Sequence, residues 1–590
     1  MQNWKRYTVF VALTGCIILF VSSCVGGLRI PVKNKPPLIV EGSPVWGAVG
    51  NEVNLDQGWS RDVQDYWYFT SQGTQIIRYD WFLHLEQATN QTAFRSDDNM
   101  TRLRYLPQGV TPQNPDALPV GFVKDTNDPD FDEGSDKWFG INCSACHTAQ
   151  IEFKGQAIRI EGGPALADFN TFFEELVESL EATLNDQAKF DRFAKNVLGA
   201  NAPPGSVTDL RDALTTRTAY LRSRVRINTP PFPAGYARLD AVGNIFNAAW
   251  GQDLTCSPPN NCPPEHQVNK PPNTAPANAP VSYPALWDAP HTDLVQWAGF
   301  VNNKPPGPII RNLGEVLGVF ATFTFDEQGQ FEGYQSSARV TKQSWLETWL
   351  TSLWSPLWPE QYLGPIDTTM KEQGEALYTT YCLNCHAILE DRTDPNREIA
   401  AQMKPFSEIG TDTLTAANFV NRAGGMMRTG KIEGRLAFYL GGDSLRAQAT
   451  GKQILVNAEA GILIRKPSRA IQSLVAELKI ALPVAPDFDP KSYRARTLNG
   501  VWATAPYLHN GSVPNLWELL QVDTLRVDSF YVGSREFDPV NVGYVTTMPA
   551  DSNATMLYTS EPGNSNAGHN YGGTMSDAEK RALIEYIKSL

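Results

Sequence analysis

Positive charge is scarce in this chain. Its 50 Lys and Arg are outnumbered by 63 Asp and Glu, which gives a formal net charge of -13. A surface of that sign repels phosphate backbones, which argues against a nucleic-acid partner. Beyond the N-terminus no apolar run is long enough to suggest a membrane-crossing helix. Histidine numbers only 7 and cysteine 8 in 590 residues. Few side chains can therefore hold a soft or borderline metal, and the position of each one matters.

Those few are concentrated. Cys143-Ser144-Ala145-Cys146-His147 is matched further on by Cys382-Leu383-Asn384-Cys385-His386. Two thiols three positions apart, followed at once by an imidazole, form the attachment pattern of a c-type haem. Each thiol can add to one vinyl group of the porphyrin, and the imidazole then reaches the iron from the proximal side. At the chain's own Cys and His frequencies, about one such match per thousand chains arises by chance, so two are a strong signal. Two other readings use the same thiols. The pairs together could hold a structural zinc, but zinc does not need a histidine after both pairs. A thioredoxin-like redox pair wants a preceding strand, whereas Tyr381 ends a helix-like run. The sequence predicts two covalently bound haems, attached through Cys143, Cys146, Cys382 and Cys385, with His147 and His386 as iron ligands.

Residues 1–24 read as a targeting segment. Lys5 and Arg6 precede an apolar run from Tyr7 to Val21, as in a signal peptide. Val21-Ser22-Ser23-Cys24 then resembles a bacterial lipobox, in which Cys24 becomes the lipidated first residue. Ordinary cleavage near Ser23, or an uncleaved anchor, are the alternatives. Val25 after the cysteine points, by resemblance, to the outer membrane, with the chain facing the periplasm or the cell surface. Export fits c-type haem, which is attached outside the cytoplasm. Four cysteines bind haem, Cys24 takes lipid and Cys16 leaves with the signal. Cys256 and Cys262 remain, and in an oxidising compartment a disulfide between them is expected, free buried thiols being the alternative.

The length implies several domains. The expected fold is mainly α: two cytochrome c-like haem domains with long irregular loops and an N-terminal extension. Residues 25–137 read as a tether and an irregular cap rich in aromatics, among them Trp59, Trp67 and Tyr68, with His84 as a core histidine. The first haem domain spans 138–358. Helical periodicity runs from Asp168 to Leu198 through Phe169, Phe172, Phe173, Leu176, Val177, Leu180 and Leu184. The proline-dense stretch Cys256 to Pro290 is a loop, either a lid over the first haem or plain surface. A helix from about Ser344 to Leu353 closes the domain. The second domain spans 359–590. It opens on a helix leading into Cys382 and ends on one capped by Ser576 and Glu579, with Leu583, Tyr586, Ile587 and Leu590 on its buried face.

The far side of each iron is the next question. For the second haem, His569 is the first candidate, because its glycine-rich loop lies just before the terminal helix. His509 is the second and is kept as a pocket residue. Met426 and Met427 are further candidates. For the first haem, His266 sits in the proline-rich loop and His291 is the only serious candidate. If His291 does not bind, that iron is five-coordinate and can take a small molecule. Arg238-Leu239-Asp240 and Gly243-Asn244-Ile245-Phe246-Asn247 form a polar cluster. It either donates to haem propionates or a bound dioxygen species, or is a buried ion-paired turn.

Both haem motifs, the stretch Pro506-Tyr507-Leu508-His509-Asn510-Gly511 and the loop Gly568-His569-Asn570-Tyr571-Gly572 resemble the rubber oxygenase branch of the di-haem cytochrome c peroxidase superfamily. The resemblance covers about residues 138–590. It implies an exported enzyme that cleaves polyisoprene double bonds with dioxygen held at the first haem, while the second haem is bis-histidine. His147 is then proximal at the active haem, and His386 with His569 ligates the other. The resemblance also implies an aromatic residue lining the oxygen pocket, matched by Phe320 or Phe300, and a tryptophan between the haems, matched by Trp297 or Trp287. The lipid anchor departs from a freely secreted rubber-degrading enzyme, and the superfamily also contains peroxidases. Three functions follow as expectations: an oxygenase acting on an apolar organic substrate, a peroxidase using an external electron donor, and a lipid-anchored electron-transfer cytochrome. A bridging calcium is left open.

Overall fold

The computed structural model describes residues 30–34, 37–126, 136–250, 274–324, 334–428, 448–466, 469–470, 473–474 and 489–590. Cys16, Cys24, Cys256, Cys262 and His266 lie outside the described residues, and with them the lipidation and disulfide expectations. The fold is mixed α/β rather than mainly α, at 39% helix and 14% strand. Among the described residues sixteen α-helices alternate with eighteen short strands in eight small sheets. The strands are two to six residues long, too short for a period of two to show against helical runs three times their length. Thr148–Phe153 and Gln156–Glu161 make the clearest hairpin. Lys154 and Gly155 at its tip both have positive φ, 49° and 79°, as a two-residue turn of the primed type requires.

The apolar stripe at 168–198 folds as two helices. Asp186 ends Phe169–Asn185 and caps Gln187–Leu198 by accepting from Ala188 N and Lys189 N. The long helix Ser206–Asn228 packs on both. A second bundle joins Ala241–Trp250, Gly307–Gly318, Val340–Leu350 and Gly451–Arg465. Its core holds Phe246, Trp250, Leu313, Leu317, Ile454 and Ile462.

The helix Thr368–Tyr381 crosses the terminal helix Asp577–Lys588. They touch at Gly374, where a Cβ would lie 2.1 Å from the Ala582 carbonyl oxygen. Tyr378 and Tyr586 pack beside the crossing with ring centres 5.2 Å apart. Ser576 and Glu579 form the capping box of the terminal helix, and Leu583, Tyr586, Ile587 and Leu590 are buried.

One buried cluster joins Trp59, Trp67 and Tyr68 to Leu346 and Trp349 and to Trp502, Leu583 and Ile587. All three expected regions therefore share a core. His84, expected in a core, ends the helix Tyr79–His84 on the exposed side. No helix among the described residues is long and apolar enough to cross a membrane.

Candidate functional site

Two clefts carry the two motifs. The strand Trp138–Ile141 delivers the chain to Asn142, whose side chain accepts from Ser144 N at 3.0 Å and donates to Trp67 O at 3.0 Å and Thr70 O at 2.9 Å. That anchors the turn Cys143–Ala145, and Cys143, Cys146 and His147 face a cleft enclosing about 1530 Å³ of empty space, its mouth included. His147 Nδ1 donates to Pro284 O at 2.8 Å. A proton committed there leaves the Nε2 lone pair for a metal. Burial depresses the His147 pKa to about 4, with the nearby Arg496 adding to it, so the ring is neutral at pH 7.

Among the described residues no second histidine lines this cleft. Its wall instead carries Asn244, Gln296, Arg311, Asn312 and Glu315 among apolar residues such as Val242, Ile245 and Leu346. Gln296 Nε2 donates to Glu315 at 2.9 Å, and Arg311 donates to Glu347 at 2.6 Å. Burial pushes the Glu315 carboxyl above its ordinary pKa, partly opposed by Arg311. Its side chain is 41% exposed although protein surrounds it on all sides. The two facts agree if the carboxylate looks into the cleft and not into bulk solvent.

His291 is buried outside this wall, with Nε2 donating to Thr351 O at 3.0 Å. Phe320 stacks on Phe173 with ring centres 4.4 Å apart, and Phe300 stacks on Phe419 at 3.6 Å. Neither phenylalanine lines the first cleft. Trp297 lines both clefts and donates from Nε1 to Ser282 O at 3.2 Å, whereas Trp287 lines only the second.

The second cleft encloses about 1510 Å³ on the same measure and is lined by Cys382, Cys385, His386, His509 and His569. His386 Nδ1 donates to Arg496 O at 2.6 Å, repeating the arrangement at His147. The rings of His386 and His569 lie 6.3 Å apart, centre to centre, at an interplanar angle of 56°. Two imidazoles bound on opposite sides of one metal, at about 2.0–2.1 Å each, place their centres about 6–6.5 Å apart. The loop that holds His569 depends on Gly568, at φ 78°, where a Cβ would meet Gly410 C and Ile409 O at 2.3 Å. His569 N donates to Ile409 O at 2.7 Å. His509 stacks on Tyr493 at 4.3 Å, and its Nε2 has no hydrogen-bond partner. Burial holds His509 and His569 at about pKa 3, His386 adding to the effect at His569. Met426 and Met427 lie on the short strand Met426–Arg428, paired with Gln448–Thr450.

Two arginines that the sequence reading passed over stand beside the clefts. Arg494 lines both of them, and its Nε has no partner. Arg496 lines the second, donates to Ala285 O at 2.6 Å and sits 5.8 Å over the Trp297 ring. Burial lowers the pKa of both, Arg494 to about 9. Arg494 lies on the strand Ser492–Ala495 and Arg496 just beyond its end. Glu315 was signalled weakly, as the i+4 neighbour of Arg311 on a helix. The polar cluster at 238–247 divides. Asp240 forms a buried ion pair with Arg422 at 4.0 Å, Asn244 reaches the first cleft, and Arg238 is buried with Nε and Nη1 unpartnered.

The family described as RoxA-like, cytochrome c-like matches residues 492–531, which supply Tyr493, Arg494, Arg496 and His509 to the second cleft. The uncharacterised protein y4iJ of Sinorhizobium fredii (strain NBRC 101917 / NGR234) is 30% identical over 607 residues, covering 93% of this chain and 94% of that protein. The chain belongs to the y4iJ family. A second protein of that strain, the uncharacterised y4iM, is 28% identical over 327 residues, covering 52% of the chain and 63% of its own length. The RoxA-like match supports haem as cofactor in this y4iJ-family chain, and a haem-dependent oxidoreductase as its class.

Proposed function

We propose that the chain is an exported, lipid-anchored di-haem c-type oxidoreductase that reduces hydrogen peroxide beside His147 and takes in electrons beside His386. One observation carries the reading, namely the contrast between the clefts. His386 faces a second histidine at the span of a shared metal, while the cleft of His147 has no second histidine among the described residues and is lined by a carboxylate and amides. A haem held at each site would supply reversible iron redox chemistry.

The residues fit such groups. The four motif thiols would hold them, and His147 and His386 are oriented by backbone carbonyls. Arg494 and Arg496 are half-buried cations whose pKa values are lowered by the surrounding protein, with no ion pair among the described residues, and propionates would neutralise them. Reducing one peroxide to two waters takes two electrons and two protons. Glu315, with its pKa raised by burial, can take a proton from one peroxide oxygen and return it to the other. Gln296 fixes the carboxylate through its amide. Trp297, in the wall common to both clefts, provides a π-system between them.

The oxygenase reading keeps one observation in its favour: the RoxA-like match, together with the apolar residues of the first cleft. Against it stand the positions of Phe320 and Phe300 and the carboxylate at the wall. Peroxide turnover with an external electron donor distinguishes the two. Glu315→Gln should lower turnover by about 10²–10⁴-fold while both haem spectra stay as in the wild type. Peroxide inertness combined with dioxygen uptake on an apolar alkene would transfer the site to the oxygenase class. Carbon monoxide should perturb one reduced haem of the two, and perturbation of neither would sink both readings.

A further inference from the structure

Beside the first cleft lies another cavity, of about 960 Å³ of empty space with its mouth included. The helix Phe169–Asn185, the end of Ser206–Asn228 and the prolines 230, 231 and 233 form it. Pro231 and Pro233 are exposed at the rim. Phe169, Phe173, Phe232 and Phe320 give it aromatic walls. Asn244 lines both this cavity and the His147 cleft, so the two spaces adjoin at that residue.

The charged groups on its wall differ in how they are satisfied. Glu174 is engaged by the Arg222 guanidinium. Both Asp168 oxygens hold Thr171, one its backbone N–H at 3.0 Å and one its hydroxyl at 2.8 Å. Arg224, 5% exposed, donates to Tyr220 Oη at 3.2 Å and to Leu317 O at 3.4 Å, and its Nε has no partner. It makes no ion pair among the described residues. A buried cation without an anion is costly, and an entering anion removes that cost. A cation is disfavoured, because the Arg224 guanidinium already lies 4.8 Å from the Phe320 ring centre. A purely apolar chain would fill the walls yet leave the guanidinium buried and unpaired.

We propose that this cavity binds a small flat aromatic carboxylate, its charge on Arg224 and its ring among the phenylalanines, adjoining the His147 cleft. That the bound molecule is the organic substrate of the reaction rests on the proposed function; the binding itself does not.

Calorimetric titration of the di-haem protein with 4-hydroxybenzoate tests the site without any turnover, so failure of the peroxidase reading would not register in it. One molecule should bind per chain and shift the absorption of one haem. Arg224→Gln should weaken binding about tenfold or more. The neutral amide of the same acid should bind the wild type no better than the acid binds that variant. Phe232→Ala, at the half-exposed edge, should weaken acid and amide alike, and serves if Arg224→Gln does not fold. Equal affinity of acid and amide, or no binding at millimolar concentration, would overturn the proposal.

Discussion

A histidine is prepared for a metal when one ring nitrogen is already committed. His147 and His386 each donate Nδ1–H to a backbone carbonyl, of Pro284 and Arg496. Both motifs were legible in the sequence, because attachment chemistry fixes residue type and spacing within five positions. The residues facing them were not, since Glu315, Gln296 and Arg494 come together only through packing between distant elements. The glycine-rich loop singled out His569, which faces His386 with ring centres 6.3 Å apart, and its proposed role as a ligand has a spectroscopic test. His569→Ala should turn the second haem from low-spin to high-spin by electron paramagnetic resonance, whereas His509→Ala should leave it low-spin. The opposite pattern would assign the ligand to His509. His291 makes a separate prediction. Burial, reinforced by Arg397, holds its pKa at about 4 against an ordinary 6.5. The unfolded chain therefore takes up a proton first, so this contribution is complete above pH 6.5 and is lost as pH falls toward 4. The loss amounts to roughly 3 kcal/mol. Denaturant titrations at pH 7.5 and 4.5 should show it in the wild type and a smaller loss in His291→Gln; equal losses in both would remove the group from the acid response.

Helices were legible where the stripe was long. The terminal helix, with Ser576 and Glu579 at its start and Leu583 and Ile587 inside, lies where the pattern put it. The strands were hidden, because a two-residue strand such as Arg238–Leu239 carries no period at all. The hairpin at Lys154-Gly155 had a readable turn signal in its glycine, and its flanking residues are apolar at only some positions. Where two helices cross, the contact itself sets the residue. Thr368–Tyr381 meets the terminal helix at Gly374, and a methyl group there would sit 2.1 Å from the Ala582 oxygen. Gly374→Val must push the helices apart, at a cost of about 1–3 kcal/mol or more. The helix leading to Cys382 would shift with them. Thermal melting should therefore show a lower midpoint, and haem staining of denatured protein should show reduced attachment at the second motif with the first unchanged. A wild-type melt would mean that the crossing relaxes freely.

Across the whole molecule, the N-terminal stretch, the middle of the chain and its last third are interlocked. Trp59 and Trp67 from the N-terminal stretch lie in the same core as Trp502 and Leu583. The strongest polar tie is Arg104, 4% exposed and held at φ 62°. It donates to Thr101 O within its own segment, and to Asp551 at 2.8 and 3.1 Å and Asn553 O at 3.0 Å in the last third of the chain. Arg535 reaches back with a bond to Tyr105 O at 3.1 Å. This interlock bears on the proposed chemistry, since Trp297 and Arg494 come from opposite sides of residue 358 and meet in the wall between the clefts. A hinge at that boundary would separate them. Arg104→Ala removes the charged tie and leaves three carbonyls, of Thr101, Gly533 and Asn553, without that donor. Asp551 is 43% exposed and can turn to water, so the loss should be about 2–3 kcal/mol rather than that of a fully buried pair. The unfolding should still be one transition, with calorimetry and the absorption of both haems reporting the same midpoint. Two midpoints, one for each haem, would show that the regions unfold independently despite the shared core.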